Sequence, residues 1–290
     1  MKMSSTVQLE GTGELFPLWM GRVVVTAISS EWALTAARTA SGFGYKDGIE
    51  SGVDFRLNET PDKRFGVVVM IAAPTKKSLE KEMARRIFQS MVSTPTVSVF
   101  DYMIEDPEVE KIKVGESISL FADGLQKKGK MGKRDVWNLP SFDGNFFIES
   151  EFGIKMGVST NLIIMGEDLK NTLQACMTFT ELIQDIPGIF CPYPGGMTKF
   201  GMKFGSDKYD FMKKTLNSRF CPSVPHTEIP KGTNFAYQII LDALDVTNLF
   251  EALKAGVQSI ENYSGITKIT SSTFESKLGQ DTFDLKMILQ

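Results

Sequence analysis

Apolar residues fall along this chain in two rhythms, and their alternation predicts a mixed architecture. Arg22 to Ile28 (RVVVTAI) is a short β-branched run that reads as a strand, and Ser29 and Ser30 are candidate caps for a helix from Glu31 to about Ala40. A Gly-rich, polar connection follows from Ser41 to Arg64. Phe65 to Ala73 (FGVVVMIAA) has the continuous apolar character of a buried strand, and Pro74-Thr75 opens a helix over Ser78 to Met91. On that helix Leu79, Met83, Ile87 and Met91 recur every fourth residue and share one face. Thr96 to Phe100 is a further strand, and Ser117 to Phe121 (SISLF) reads as another.

The second half repeats the rhythm. Asn161 to Met165 (NLIIM) predicts a strand, the acidic pair Glu167-Asp168 starts a helix running to about Ile186, and Pro187-Gly188 ends it. After a long irregular segment from Cys191 to Pro230 come a strand at Ala236 to Leu241, a helix from Val246 to about Glu261, and strands at Ile266 to Ser271 and Phe283 to Ile288. Each half thus supplies βαββαβ-like material, and two helices on one face of an antiparallel sheet bury such elements. The expected fold class is α+β: two ferredoxin-like (split βαβ) lobes, pseudo-duplicated. The polar stretch Ser141 to Asn145 sets the boundary, giving an N-terminal lobe over 1–144 and a C-terminal lobe over 145–290.

Bulk properties narrow the function. With 290 residues the chain can bury two cores of ordinary size, and 42% hydrophobic with 23% charged residues is the composition of a packed protein. A net charge of -3 makes nucleic acid a poor partner. The first residues form no leader pattern and no apolar run reaches membrane length, so the expectation is a cytoplasmic protein without a membrane partner. Cys176, Cys191 and Cys221 are scattered and odd in number, which reads as reduced thiols, and with a single histidine they make no common zinc constellation.

The segment Cys191 to Ile229 is the most informative. An irregular stretch this long inside a domain is usually functional or disordered, and Tyr193, Phe200, Phe204, Tyr209, Phe211 and Phe220 anchor it against disorder. Pro192, Pro194, Gly195 and Gly196 would form a tight turn with bare backbone that a ligand could approach. An ordinary loop pinned to the core fits those residues equally well. The run Lys127 to Arg134 (KKGKMGKR) reads first as a solvated hairpin tip and second as a landing patch for anionic substrate tails. His226, between Pro225 and Thr227, reads as an exposed polar residue, not as a general base.

Several of these segments resemble the formylmethanofuran:tetrahydromethanopterin formyltransferase family. The matching stretches are Pro192 to Gly196, Lys208 to Phe211 and Arg219 to Ser223, with Thr94 to Phe100, Phe121 to Gly124, Thr227 to Pro230 and Lys277 to Gly279, all in one order along the chain. The resemblance implies transfer of a formyl group between N-formylmethanofuran and tetrahydromethanopterin in one-carbon metabolism. No cofactor is implied beyond these two co-substrates, and the implied assembly is a homodimer or homotetramer. It further implies a strand bearing a Tyr-Glu-Ile pattern at the transfer site, where this chain has Tyr237-Gln238-Ile239. Gln238 and Tyr237 are accordingly the candidate catalytic residues. Pro194, Gly195, Gly196, Lys199, Lys208, Arg219 and Ser223 are the candidate substrate-binding residues, and no metal ligand is expected.

An amide can donate a hydrogen bond to an oxyanion but cannot take up and return a proton. Without the resemblance, Gln238 reads as a strand residue on a solvated face. The family also carries a longer apolar element before its Gly-Ile-Glu than the stretch Gly42 to Glu50 (GFGYKDGIE) provides. These two departures sustain a second reading: an impaired paralogue serving as a binding or assembly subunit of a formyltransferase/hydrolase complex.

Overall fold

In this computed structural model, residues 7–42, 50–103, 105–202, 220–273 and 281–290 are described. The chain opens with a short strand β1 (Gln8–Leu9) and the long strand β2 (Thr12–Ala27). Helix α1 (Ser30–Ala40) follows, its first turn capped by the Ser29 hydroxyl, which accepts from the Trp32 N–H. Next come β3 (Glu50–Leu57), β4 (Phe65–Ala73) and α2 (Lys76–Arg86), and a single π-type turn at Ile87–Met91 extends α2. Strands β5 (Ser98–Asp101) and β6 (Glu110–Ile112), helix α3 (Val114–Ser119), and a meander of β7 (Lys127–Met131), β8 (Arg134–Ser141) and β9 (Gly144–Glu149) complete the first half.

The second half begins with β10 (Phe152–Gly166) and α4 (Leu169–Gln184), whose N-cap is Asp168. Two short strands follow, β11 (Ile189–Phe190) and β12 (Thr198–Lys199). Then come β13 (Phe235–Ala243), α5 (Val246–Ile260) capped by Asp245, β14 (Ile266–Thr270), β15 (Asp281–Asp284) and α6 (Leu285–Leu289).

The halves are built alike. In the first, β2 lies between β5 and β4, with β3 outside β4. In the second, β10 lies between β14 and β13, with β11 and β12 outside β13. Both central strands are longer than their own sheet requires, and the surplus joins the halves: Phe16–Gly21 pairs antiparallel with Ile154–Ser159. The result is a mixed α+β architecture with one continuous sheet. Two apolar cores sit under the helices. One gathers Val23, Val69, Leu79, Met83 and Ile154, and the other Leu162, Phe179, Ile239, Leu253 and Val257. Burying each such side chain contributes about 1.5–3 kcal/mol. Among the described residues no helix is long and apolar enough to cross a membrane.

Three expectations are corrected. Ser117–Phe121 is not a strand: the chain turns helical from Val114, and Val114 and Ile118, one turn apart, are the positions that bury while Leu120 and Phe121 stay exposed. The helix sits hard on the sheet, since a Cβ on Gly115 would lie 1.7 Å from the Glu149 carbonyl oxygen. Phe283–Ile288 is strand only to Asp284, whose carboxylate caps α6 by accepting from the Lys286 N–H at 2.8 Å. The polar connection Ser41–Arg64 contains β3; its charges conceal the strand because they find partners, Asp54 pairing with Arg22 on β2. Ser141–Gly144 closes the β8–β9 ladder.

Candidate functional site

Helices cover only one face of the second sheet. On β13, Tyr237, Ile239, Leu241 and Ala243 pack into the helix-side core, so strand alternation sends Gln238, Ile240 and Asp242 to the other face. Their cross-strand neighbours on β10 are Ile163, Asn161 and Ser159. An uncovered sheet face ordinarily meets water. Here Gln238 is 4% exposed and Asp242 and Asn161 are 0% exposed. The expectation of a solvated face for Gln238 is therefore wrong, because the irregular segment and the first half close over it.

Asn161 is held at every polar atom of its side chain: it donates to the Ser272 carbonyl at 2.9 Å and accepts from the Ser272 N–H and hydroxyl. Ser271 adds a 2.6 Å bond from its hydroxyl to the Asn161 carbonyl. This network makes the middle of the stripe rigid.

The Pro-Gly-Gly segment runs along the same strand. Phe190, at its start, lies opposite Asp242, and β12 near its far end places Thr198 opposite Gln238 and Lys199 opposite Tyr237. Gly195 and Gly196 both have left-handed backbone, at φ +67° and +78°. Gly196 lies so close to α4 that a Cβ there would be 2.7 Å from Thr180 Cγ2. Beyond β12, Phe200 stacks on Phe220 with ring centroids 4.8 Å apart, and both pack on Ile163, Met165 and Ala236. Beyond Phe220 the chain turns, with the Val224 N–H donating to the Cys221 carbonyl at 3.2 Å.

The sequence-predicted residues thus divide. Tyr237, Gln238, Gly195, Gly196 and Lys199 are brought together on β13 and the loop beside it. Pro194 and Ser223 are exposed on that loop and on the turn beyond Phe220. Lys208 and Arg219 lie outside the described residues, as do Lys208–Phe211 and Lys277–Gly279. Burial raises the Tyr237 phenol above its usual value, with a smaller contribution from Cys176, and keeps it neutral. His226 is exposed in a turn at φ +60°. The basic run forms the β7–β8 hairpin, with Lys130 3.7 Å from Asp135 and the Lys128 ammonium over the Trp137 ring.

Sequence reasoning missed Glu50 and Asp242. Glu50 starts β3 in the first half, Asp242 lies near the end of β13, and the docking of β3 against β11 brings them together. That docking is specific: a Cβ on Gly52 would lie 2.7 Å from the Phe190 ring, and the Gly188 N–H donates to Asp54 at 2.9 Å. Burial pushes both carboxyls up, and Glu50 is raised further by the charge of Asp242. Cys191 lies beside them, its thiol also pushed up by burial and by the two carboxyls. Only the GIE stretch flagged at Glu50 could have hinted at this pair; nothing local marks Asp242. Among the described residues no three His, Cys, Asp or Glu side chains are arranged to hold a metal ion.

Two concavities lined by described residues lie elsewhere. One, of about 350 Å³, is bounded by Ile28, Arg64, Thr96 and Asp143, and the other, of about 510 Å³, by Phe250, Lys254, Phe283 and Met287. Neither includes a predicted site residue.

Comparison with known proteins places these features in a lineage. The model of formylmethanofuran-tetrahydromethanopterin formyltransferase matches residues 1–141, and that of its proximal lobe matches 144–288. The formylmethanofuran–tetrahydromethanopterin formyltransferase of Methanopyrus kandleri is 36% identical over 282 residues, covering 94% of this chain and 95% of that protein. The Methanocaldococcus jannaschii protein of the same name is 35% identical, with 98% of each chain covered. Among solved structures, the formylmethanofuran:tetrahydromethanopterin formyltransferase of Methanosarcina barkeri superposes with a TM-score of 0.87 at 33% identity, covering 99% of this chain and 100% of that one. The formyltransferase/hydrolase complex of Methylorubrum extorquens, solved with methylofuran, contains a chain with a TM-score of 0.85 at 26% identity, covering 98% of this chain and 96% of its own.

Proposed function

We infer what this chain does from its lineage: it belongs to the formylmethanofuran-tetrahydromethanopterin formyltransferase family. It is an enzyme that moves a formyl group between N-formylmethanofuran and tetrahydromethanopterin in one-carbon metabolism. The observation that carries this reading is likeness at about a third identity over essentially the whole length, to relatives that bear the name of that activity. The alternative of an impaired binding subunit is not favoured.

Such a transfer must hold two carriers together, donate a hydrogen bond to the oxygen of a tetrahedral intermediate, and move a proton between nitrogens. In our reading the Gln238 amide hydrogen-bonds the formyl oxygen, and the adjoining Tyr237 shapes the pocket. Pro194, Gly195, Gly196, Lys199 and Ser223 contact the carriers, together with Lys208 and Arg219. The chemistry calls on no prosthetic group or metal. The strand order in each half, with the first strand between the third and fourth and the second outside the third, supports two pseudo-duplicated ferredoxin-like lobes. By the same lineage the protein works in the cytoplasm as a homodimer or homotetramer, and a formyltransferase/hydrolase assembly like that of Methylorubrum extorquens is a candidate higher complex. The test is direct: purified chain, formylmethanofuran and tetrahydromethanopterin should yield N-formylated pterin above the uncatalysed rate. Absence of product with both carriers supplied would overturn the assignment.

A further inference from the structure

Moving a formyl group from one amine to another moves a proton as well, and Gln238 cannot hold one. We propose that Glu50 and Asp242 form a carboxyl pair sharing a proton across the boundary between the halves, with Glu50 the catalytic acid–base of the transfer and Asp242 the residue that positions it. The proposal rests on the formyl-transfer reading and adds the site of its proton chemistry.

Asp242 is fully buried, and apart from the Ser159 hydroxyl no hydrogen-bond donor approaches its oxygens or the buried Oε2 of Glu50. Two ionised carboxyls in this position are acceptors facing an acceptor. One proton between them turns one into a donor and removes the like-charge contact. The surroundings leave that proton as the available remedy. Ser159 on β10 presents a hydroxyl to Asp242, and Cys191 beyond β11 presents a thiol that burial and both carboxyls keep neutral. Opposite Glu50, β4 places Ala72. The next acid along that face of β3, Asp54, is already engaged by Arg22. Among the described residues that act on the pair, none is cationic.

Glu50 is partly exposed where Asp242 is not, so exchange with a bound amine goes through Glu50. Asp242 and Gln238 lie on one face of β13, about 13 Å apart along the strand at roughly 3.3 Å per residue. The reacting carbon must therefore lie between them, within reach of the Gln238 amide on one side and of the Glu50 carboxyl on the other.

The protons balance. The pair enters holding one proton. As the attacking pterin nitrogen bonds to the formyl carbon, the carbonyl electron pair moves to oxygen and the ionised carboxyl takes the nitrogen's proton. When the carbonyl re-forms and the old carbon–nitrogen bond breaks, the same carboxyl gives that proton to the departing nitrogen. The pair again holds one.

The test compares wild type, Glu50→Gln and Asp242→Asn as full chains, measuring kcat and KM for formyl transfer across pH. Glu50→Gln should lower kcat by about 100-fold or more while KM for each carrier moves little. Asp242→Asn removes the group that holds the shared proton and should remove the alkaline limb of the kcat profile, where the wild-type pair loses that proton, which a purely structural residue would not do. An unchanged kcat in Glu50→Gln, or a superposable profile in Asp242→Asn, would overturn the proposal alone. A wild type that transfers nothing would overturn the formyl-transfer reading and this role with it. Should either variant fold poorly, infrared spectroscopy of the wild type decides: a protonated-carboxyl band at neutral pH supports the pair, and its absence overturns it.

Discussion

Gly195 and Gly196 both have left-handed backbone, yet their surroundings differ, and substituting each by alanine separates two costs. A side chain in that backbone region costs about 1–2 kcal/mol, offset by about 0.4–1 kcal/mol because alanine narrows the unfolded ensemble. That is the whole expected effect of Gly195→Ala, since a Cβ at Gly195 has nothing within 4 Å. At Gly196 the Cβ would stand 2.7 Å from Thr180 Cγ2 and 2.9 Å from Thr180 Cβ, with Cys191 Cβ at 3.4 Å. Thr180 cannot swing aside: it is β-branched, buried on α4, and its hydroxyl donates to the Met177 carbonyl at 3.1 Å. Overpacking of this kind adds about 1–3 kcal/mol. At about 2–4 °C per kcal/mol, Gly196→Ala should melt about 2–12 °C below Gly195→Ala in calorimetry. The loop's escape route is away from α4, which drags Thr198 and Lys199 along β13, and a displacement of about 1 Å can cost about 100-fold in rate. If the two variants melt together and Gly196→Ala transfers formyl groups as fast as wild type, the close approach of this loop to α4 is not what holds β12 in register.

Three more outcomes are expected. Because burial raises both carboxyls of the Glu50–Asp242 pair, the folded chain keeps a proton that the unfolded chain loses near the ordinary values of 4.5 and 3.8; the pair's contribution to stability is therefore fullest below those values and falls as pH rises above them, and Asp242→Asn should flatten that part of the pH dependence in denaturant titrations. Arg22→Met strips Asp54 of its cation and leaves a buried carboxylate beside the Gly188 N–H, so unfolding free energy should drop by about 3–5 kcal/mol, with substantial recovery in Arg22→Met/Asp54→Asn. Arg86 bonds Glu82 and reaches the Ala40 and Gly42 carbonyls, a fork that lysine cannot reproduce; Arg86→Lys should lower the stability seen in urea titration by about 1–3 kcal/mol.

Local patterning and end signals sufficed for much of this protein. The apolar run Phe65–Ala73 is β4 to the residue, the fourfold spacing of Leu79, Met83, Ile87 and Met91 is the buried stripe of α2 and its last turn, and Asp168 caps α4 where the acidic pair announced a helix. Hydrophobic period and capping chemistry act over a few residues, so a reader of the sequence sees them. Motif order likewise pointed to the family and to the strand carrying Gln238.

Tertiary structure alone decided the rest. The strand β3 hides in a polar stretch because Asp54 is neutralised by a residue on another strand, and Ser117–Phe121 becomes helical because Val114 and Ile118, one turn apart, bury together against the sheet. Gln238 and Asp242 look like ordinary polar positions on an alternating strand, and they are buried only because β12 pairs at one end and the first half docks β3 at the other. Glu50 and Asp242 lie in opposite halves of the chain. Burial and charge proximity are set by chain segments far apart in sequence, and no local pattern encodes which segments will meet.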